Sequence, residues 1–319
     1  FGIKPILLGL TEIIDPLFFI LITSYVFLLK NINLHKILRF LNFSVLFSLL
    51  FSILNGLFLK EVAGDLRISG GVFGNATLAG SIFATMFFYN ISPIFSNSKK
   101  NKKATIFFSI IFLILLLYTK TRGSLLGLVI TLIITFRKSN QKLKIILWST
   151  LILLFSVPRI IDIYSSRTNS IDDSSIQERL LRNFTAFEHL KQNPFGGIGW
   201  ANPPIVSGGY ESLGIRNPNY EIHFQIYNTF LAWASYGGIL TGISLIYIIF
   251  ISLRNPVNKC FQANILNGAI IIWIVDFMTT GNMLLFSGYP YSGVIFFFLT
   301  LALKFAYNYE KQKYNFNPK

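Results

Sequence analysis

The sequence predicts an all-α, polytopic membrane helical bundle of about nine spans, with one large extracytoplasmic loop that contains an amphipathic helix. Three observations predict it. The chain is 53% hydrophobic and 16% aromatic, and its mean hydropathy of +0.57 excludes an ordinary soluble domain. Its apolar residues fall in long runs near the ~20 residues that cross a bilayer as a helix. Its charged residues gather in the short stretches between those runs, and the two kinds of stretch alternate in composition.

The apolar runs lie near 5–29, 38–59, 77–95, 104–118, 124–136, 145–158, 224–252, 262–280 and 290–306. Helices are expected throughout, since lipid offers no partner to an open backbone group. The runs at 124–136 and 145–158 are short, so those helices are expected to extend into their flanks. The chain starts at Phe1 with neither a methionine nor a signal-peptide pattern, which suggests a fragment lacking earlier helices. Three regions follow: membrane helices over 1–158, an extracytoplasmic loop over 159–222, and membrane helices over 223–319.

Orientation follows from the basic residues. One set of loops holds Lys30, Lys36 and Arg39; Lys99, Lys100, Lys102 and Lys103; Arg137, Lys138, Lys142 and Lys144; Arg254 and Lys259; and Lys304, Lys311, Lys313 and Lys319. Glu310 is the one acid among them. This side is read as cytoplasmic, with the C-terminus inside. The other side carries Lys4, Lys60, Arg67, Lys120, Arg122, Arg159, Arg167, Arg179, Arg182, Lys191 and Arg216, with nearly all the acids. The net charge of +15 is therefore a topology signal and an attraction to anionic headgroups, not a nucleic-acid footprint.

Arginine on the outer side runs against the topological bias, and its planar fork suits phosphate oxygens better than lysine does. Arg122 stands in a short turn between two apolar runs, where a headgroup anchor is the competing role. Arg179 and Arg182 lie one helical turn apart in the large loop. There Ser175 and Glu178 fit a capping box, and Leu180, Leu181, Phe184, Phe187 and Leu190 recur at helical spacing. A surface helix from Ile176 to Lys191 is expected, ending before Pro194. A further helix is expected from about Glu221 into the membrane, with Gly237, Gly238 and Gly242 allowing close helix contact.

Four stretches resemble the O-antigen ligase/polymerase superfamily, the Wzy and WaaL type of membrane glycosyltransferases. Arg67-Ile-Ser-Gly-Gly-Val-Phe-Gly-Asn75-Ala76 is similar to its R-x-x-G-x-F-x-N segment. Thr121-Arg122-Gly123-Ser124 resembles its S-R-G turn. Pro194-Phe-Gly-Gly-Ile-Gly199, fifteen residues after Arg179, resembles the P-x-x-G-x-G that follows the family's loop arginine. Tyr227-Asn228-Thr-Phe-Leu231, with Gly238 beyond it, resembles the H-N-x-Y-L helix and its trailing glycine.

The resemblance implies transfer of a glycan from an undecaprenyl-pyrophosphate carrier to an acceptor sugar hydroxyl, at the outer face of a bacterial plasma membrane. It implies a lipid-linked oligosaccharide donor, a glycan acceptor and a phospholipid bilayer as partners, and no cofactor or metal. Arg122 and Arg179 are the expected catalytic arginines, with Arg67, Arg182 and Arg216 binding substrate. Ligases of the family carry a histidine at the position of Tyr227, for activating the acceptor. Here His223 stands one turn earlier and is the first candidate for the base; Glu221 and Glu211 are alternatives. Tyr227 and Asn228 are expected to contact substrate or pack. This difference favours a repeat-unit polymerase over a ligase joining polysaccharide to lipid A-core.

Other residues have plainer readings. His189 is expected on the solvated side of the surface helix, and His35 and Cys260 in the cytoplasm. Asp276, an acid inside an apolar run, is expected in a buried polar network, with an ion path as the alternative. Three dispersed histidines and one cysteine give no metal-ligand spacing. Gly196-Gly197-Ile-Gly199 follows no strand and is not a nucleotide loop. A transporter is the rival class; it would need polar residues along a mid-membrane path and a matching repeat in two halves, neither of which the sequence shows.

Overall fold

The computed structural model describes residues 34–57, 59–62, 65–68, 76–95, 102–136, 183–184, 186–197, 226, 228–254, 261–279, 297 and 299–306. The labelled helices are α1 (Leu34–Leu54), α2 (Ala76–Phe95), α3 (Lys102–Thr119), α4 (Arg122–Phe136), α5 (Thr229–Gly237), α6 (Ile239–Leu253) and α7 (Phe261–Thr279). Residues 183–192 and 297–306 are also helical where described. The chain divides into two compact units. One comprises Phe1–Asp15, Ser165–Ile249 and Phe277–Ser287; the other comprises Pro16–Tyr164, Phe250–Asp276 and Gly288–Lys319. Residues 223–249 thus group with the loop that precedes them.

The fold is mostly helical, as expected, with one correction to the all-α reading. Strands β1 (Leu59–Val62) and β2 (Asp65–Ile68) form an antiparallel hairpin with Lys60 opposite Arg67 and Leu59 opposite Ile68. A two-residue connection suits a tight hairpin. Apolar and charged residues alternate in β2, and Ile68 is buried where β2 packs against α3. Hydropathy averaged over a long window cannot register so short an alternation.

In the second unit α2 is the central element and packs along α3 and α4. It carries no charged residue, and Leu78, Ile82, Phe83, Met86 and Phe87 are all buried. A helix that is apolar all round needs neighbours on every side. Asn42 of α1 and Asn90 of α2 exchange amide hydrogen bonds of 2.9 and 2.8 Å, and Asn90 Nδ2 also donates to the Met86 carbonyl at 2.7 Å. The pair satisfies polar groups that would be costly to bury alone.

Helix α1 stops at a glycine cap. Gly56 has φ +65°, its N–H reaches the Ile53 carbonyl at 3.1 Å, and the Leu57 N–H reaches the Ser52 carbonyl at 2.9 Å. This is the Schellman arrangement, in which two otherwise unsatisfied carbonyls gain donors. The outward face of α1 is apolar: Phe40, Phe43, Phe47, Leu50 and Leu54 recur at helical spacing, with Phe47 71% and Leu54 76% exposed. Ile106, Ile110 and Ile114 expose a similar stripe on α3, and Leu240, Ile243, Tyr247 and Phe250 on α6.

Among the described residues no helix is long and apolar enough to cross a membrane. Of the nine crossings expected from hydropathy, those at 5–29 and 145–158 lie outside the described residues. The run at 124–136 does extend into its flank, since α4 starts at Arg122. The run at 224–252 is not one helix. It breaks at Gly238, whose φ of 85° and ψ of 168° belong to a region almost reserved for glycine. The expected start near Glu221 lies outside the described residues. Helix α5 begins at Thr229, capped by Asn228, whose Oδ1 accepts the Leu231 N–H at 3.0 Å.

Candidate active site

In the second unit the turn Thr121–Ser124 is built from both sides. Helix α3 ends at Thr119, whose hydroxyl donates to the Leu116 carbonyl at 2.6 Å and lies 2.8 Å from the Thr121 hydroxyl. Lys120 adopts φ 55°, the left-handed position where helices more often place glycine. The chain thereby reverses within two residues, and α4 opens with the Leu125 N–H on the Thr121 carbonyl at 3.3 Å. Arg122 is then the first residue of α4, with its side chain exposed.

The start of α2 receives this turn. Ser81 and Ser124 hydroxyls lie 3.0 Å apart, both fully buried. A methyl built on Gly80 would collide with the Thr121 hydroxyl, so glycine alone allows the approach. Helix α2 begins at Ala76, directly after Asn75, so the stretch 67–76 leads into the helix that seats Thr121–Ser124. Of the first stretch, residues 69–75 lie outside the described residues, and α2 from Ala76 onward is what meets the turn. Arg67 itself lies on β2, opposite Lys60.

Electrostatics at the start of α4 are unusual. Helix N-termini carry a partial positive charge and favour acids, yet Arg122 opens this one. First-turn N–H groups also lack acceptors within the helix. A guanidinium beside such an end is an arrangement suited to an anion.

In the first unit the helix covering 183–192 ends before Pro194, as expected. Ala186 is its buried residue, whereas Phe184 and Phe187 are exposed. The small Ala186 is turned inward and the two rings outward; Leu180 and Leu181 lie outside the described residues. His189 is half-buried rather than fully solvated. Lys191 pairs with Glu188 at 2.8 Å and lies 4.9 Å from the Phe187 ring centroid.

The turn that follows is organised by Asn193. Its Nδ2 donates to the Gly197 carbonyl at 2.8 Å, its Oδ1 accepts the Gly196 N–H at 3.3 Å, and its carbonyl accepts the Gly197 N–H at 2.9 Å. The turn docks on the α5–α6 break, where the Ile239 N–H donates to the Pro194 carbonyl at 2.7 Å. Gly197, at φ 61°, sits so close that a methyl on it would lie 2.6 Å from the Ser235 carbonyl oxygen. The Thr241 hydroxyl clamps the break from the other side, 2.7 Å from both the Trp233 and Gly238 carbonyls. Here two separate motif stretches, 194–199 and 227–238, meet.

Several expected site residues lie outside the described residues: Arg179, Arg182, Arg216, Glu211, Glu221, His223 and Tyr227. Of Arg67 only the backbone is described. Arg122 and Asn228 are placed, Asn228 as a helix cap. Asp276 is fully buried. Among the described residues no group of three or more histidine, cysteine or acidic side chains could hold a metal ion. Sequence reasoning missed Gly80, Ser81 and Asn193. Asn193 had a signal, since Asn-Pro favours turn initiation; the small residues of α2 had none.

These features define a class: a mostly helical protein with an arginine at a hydroxyl-braced helix start and a Pro-Gly-Gly turn seated on a broken helix. Residues 107–247 match the family model Wzy_C, described as O-antigen ligase. The match covers the Thr121–Ser124 turn, the Pro194 turn and the α5–α6 break. No curated protein and no solved structure matches the chain.

Proposed function

We propose that the protein transfers a glycan from an undecaprenyl-pyrophosphate-linked donor to an acceptor sugar hydroxyl, as a repeat-unit polymerase at the outer face of a bacterial plasma membrane. The acceptor oxygen attacks the anomeric carbon, and the bond from that carbon to the pyrophosphate oxygen breaks. The electron pair leaves with the pyrophosphate, which stays on its lipid, and the acceptor proton passes to a base. His223 takes that proton, or Glu221 or Glu211 in its place. Arg122 and Arg179 stabilise the charge growing on the leaving group, with Arg67, Arg182 and Arg216 binding donor phosphates and sugars beside Tyr227 and Asn228.

The observation that carries this reading is Arg122: an exposed guanidinium at a positive helix end, inside the segment that matches the family. A membrane setting is supported by the apolar outer faces of α1, α3 and α6, larger than water-exposed surfaces usually tolerate. The description of the matching family favours a second reading, O-antigen ligase, in which finished polysaccharide is joined to a lipid A-core acceptor.

Purified protein in lipid nanodiscs, given a lipid-pyrophosphate repeat unit, is expected to build a ladder of longer glycans. A single product formed only when lipid A-core is added supports ligase instead. Full activity in both Arg122→Ala and Arg179→Ala would refute the mechanism.

A further inference from the structure

Helices α4 and α7 meet along a seam of close contacts. Thr131 Oγ1 of α4 donates to the Gly268 carbonyl of α7 at 3.2 Å. One turn back along α4, a methyl built on Gly127 would stand 3.0 Å from the Ile272 carbonyl oxygen, one turn forward along α7. The helices are therefore antiparallel, and each step of four residues on one matches four on the other. The next step pairs Gly123 with Asp276. Positions 131, 127 and 123 form one i, i+4 row of α4, and 268, 272 and 276 the facing row of α7. The first two rungs each contain a glycine, and so does the third.

This register sets a fully buried carboxylate against the first turn of α4. That turn carries Arg122 next to a helix end that is itself positive, and the two like charges oppose each other. A carboxylate held there offsets that repulsion and complements the N–H groups of the turn. We infer that Asp276 is the positioning residue of Arg122: it holds the α4 start, so that the guanidinium is already aimed outward before the donor binds. This rests on the glycan-transfer reading of Arg122 and adds to it a residue remote in sequence, outside the stretch that matches the family.

The register is tested without activity. In a Cys260→Ser background, Gly123→Cys combined with Asp276→Cys is expected to crosslink on mild oxidation. Gly123→Cys with Gly268→Cys, two turns out of register, is expected not to. Failure of the first pair, or equal crosslinking of both, overturns the placement.

The role is tested in nanodiscs with a lipid-pyrophosphate repeat unit as donor. Asp276→Asn is expected to lower kcat at least tenfold with the donor KM within twofold. In an Arg122→Ala background the same change is expected to cost less than twofold, because the residue acts through the arginine. An unchanged kcat, or effects that multiply, overturns the proposal. If the Asn variant does not fold, Asp276→Glu is read in the same way: a fall in kcat that vanishes with Arg122→Ala supports the role, and any other result overturns it. Full activity of Arg122→Ala would sink the underlying reading, whereas a normal Asp276→Asn beside an inactive Arg122→Ala sinks this inference alone.

Discussion

Replacing Gly238 with alanine isolates the contact between the Pro194 turn and the α5–α6 break. At φ 85° and ψ 168° the backbone lies where a side chain costs about 1–3 kcal/mol. The added methyl would also collide with the Phe195 carbonyl. That carbonyl belongs to the turn, so relief means moving the turn and weakening the 2.7 Å bond from Ile239 to Pro194, a further ~0.5–1.5 kcal/mol. The total is about 1.5–4.5 kcal/mol. Gly56→Ala is the control: its φ of 65° imposes a left-handed cost of about 1–2 kcal/mol, but nothing lies within 4 Å of the new methyl. Thermal unfolding of both variants in nanodiscs should place Gly238→Ala below Gly56→Ala by several degrees. Glycan transfer should fall only in the former. Equal melting temperatures, with activity retained, would show that the close approach at Gly238 does not matter.

Three other outcomes follow from the geometry. Gly80→Val should disrupt the seat of the Thr121–Ser124 turn and abolish transfer, while Ser81→Ala, which removes one hydroxyl contact, should cost about 1 kcal/mol by thermal denaturation. Asn42→Ala strips a partner from buried Asn90 and should destabilise by about 1–3 kcal/mol; Asn42→Leu with Asn90→Leu should cost less, since no amide is then left unsatisfied. Arg122→Ala should slow transfer by roughly 10²–10³ with little change in stability, and Arg122→Lys should fall between, since lysine lacks the two-oxygen fork.

Much of this was legible in residues taken one stretch at a time. The helix ending ahead of Pro194 and the helical run starting beside Arg122 follow from local chemistry that any neighbouring residues would leave intact. Other features were misread for physical reasons. The hairpin at 59–68 was taken as loop because its alternation spans only four residues a strand. The run at 224–252 was taken as one helix because hydropathy measures side chains, whereas the break at Gly238 is a backbone event stabilised by a carbonyl from Pro194. The helical spacing of Phe184 and Phe187 says only that they share a face; that this face is exposed while Ala186 is buried needed the structure.

By itself, then, the amino-acid order determined a chain of apolar helices, where many of them begin and end, and which arginines stand against the charge bias, because each of these depends on neighbours a few residues away. Only the tertiary structure decided that Ser81 meets Ser124 across 43 residues, that the Pro194 turn seats on Gly238, and that Gly127 comes against Ile272. Those meetings depend on two backbones approaching where side chains are absent or small. A glycine in the sequence permits such an approach without naming the partner.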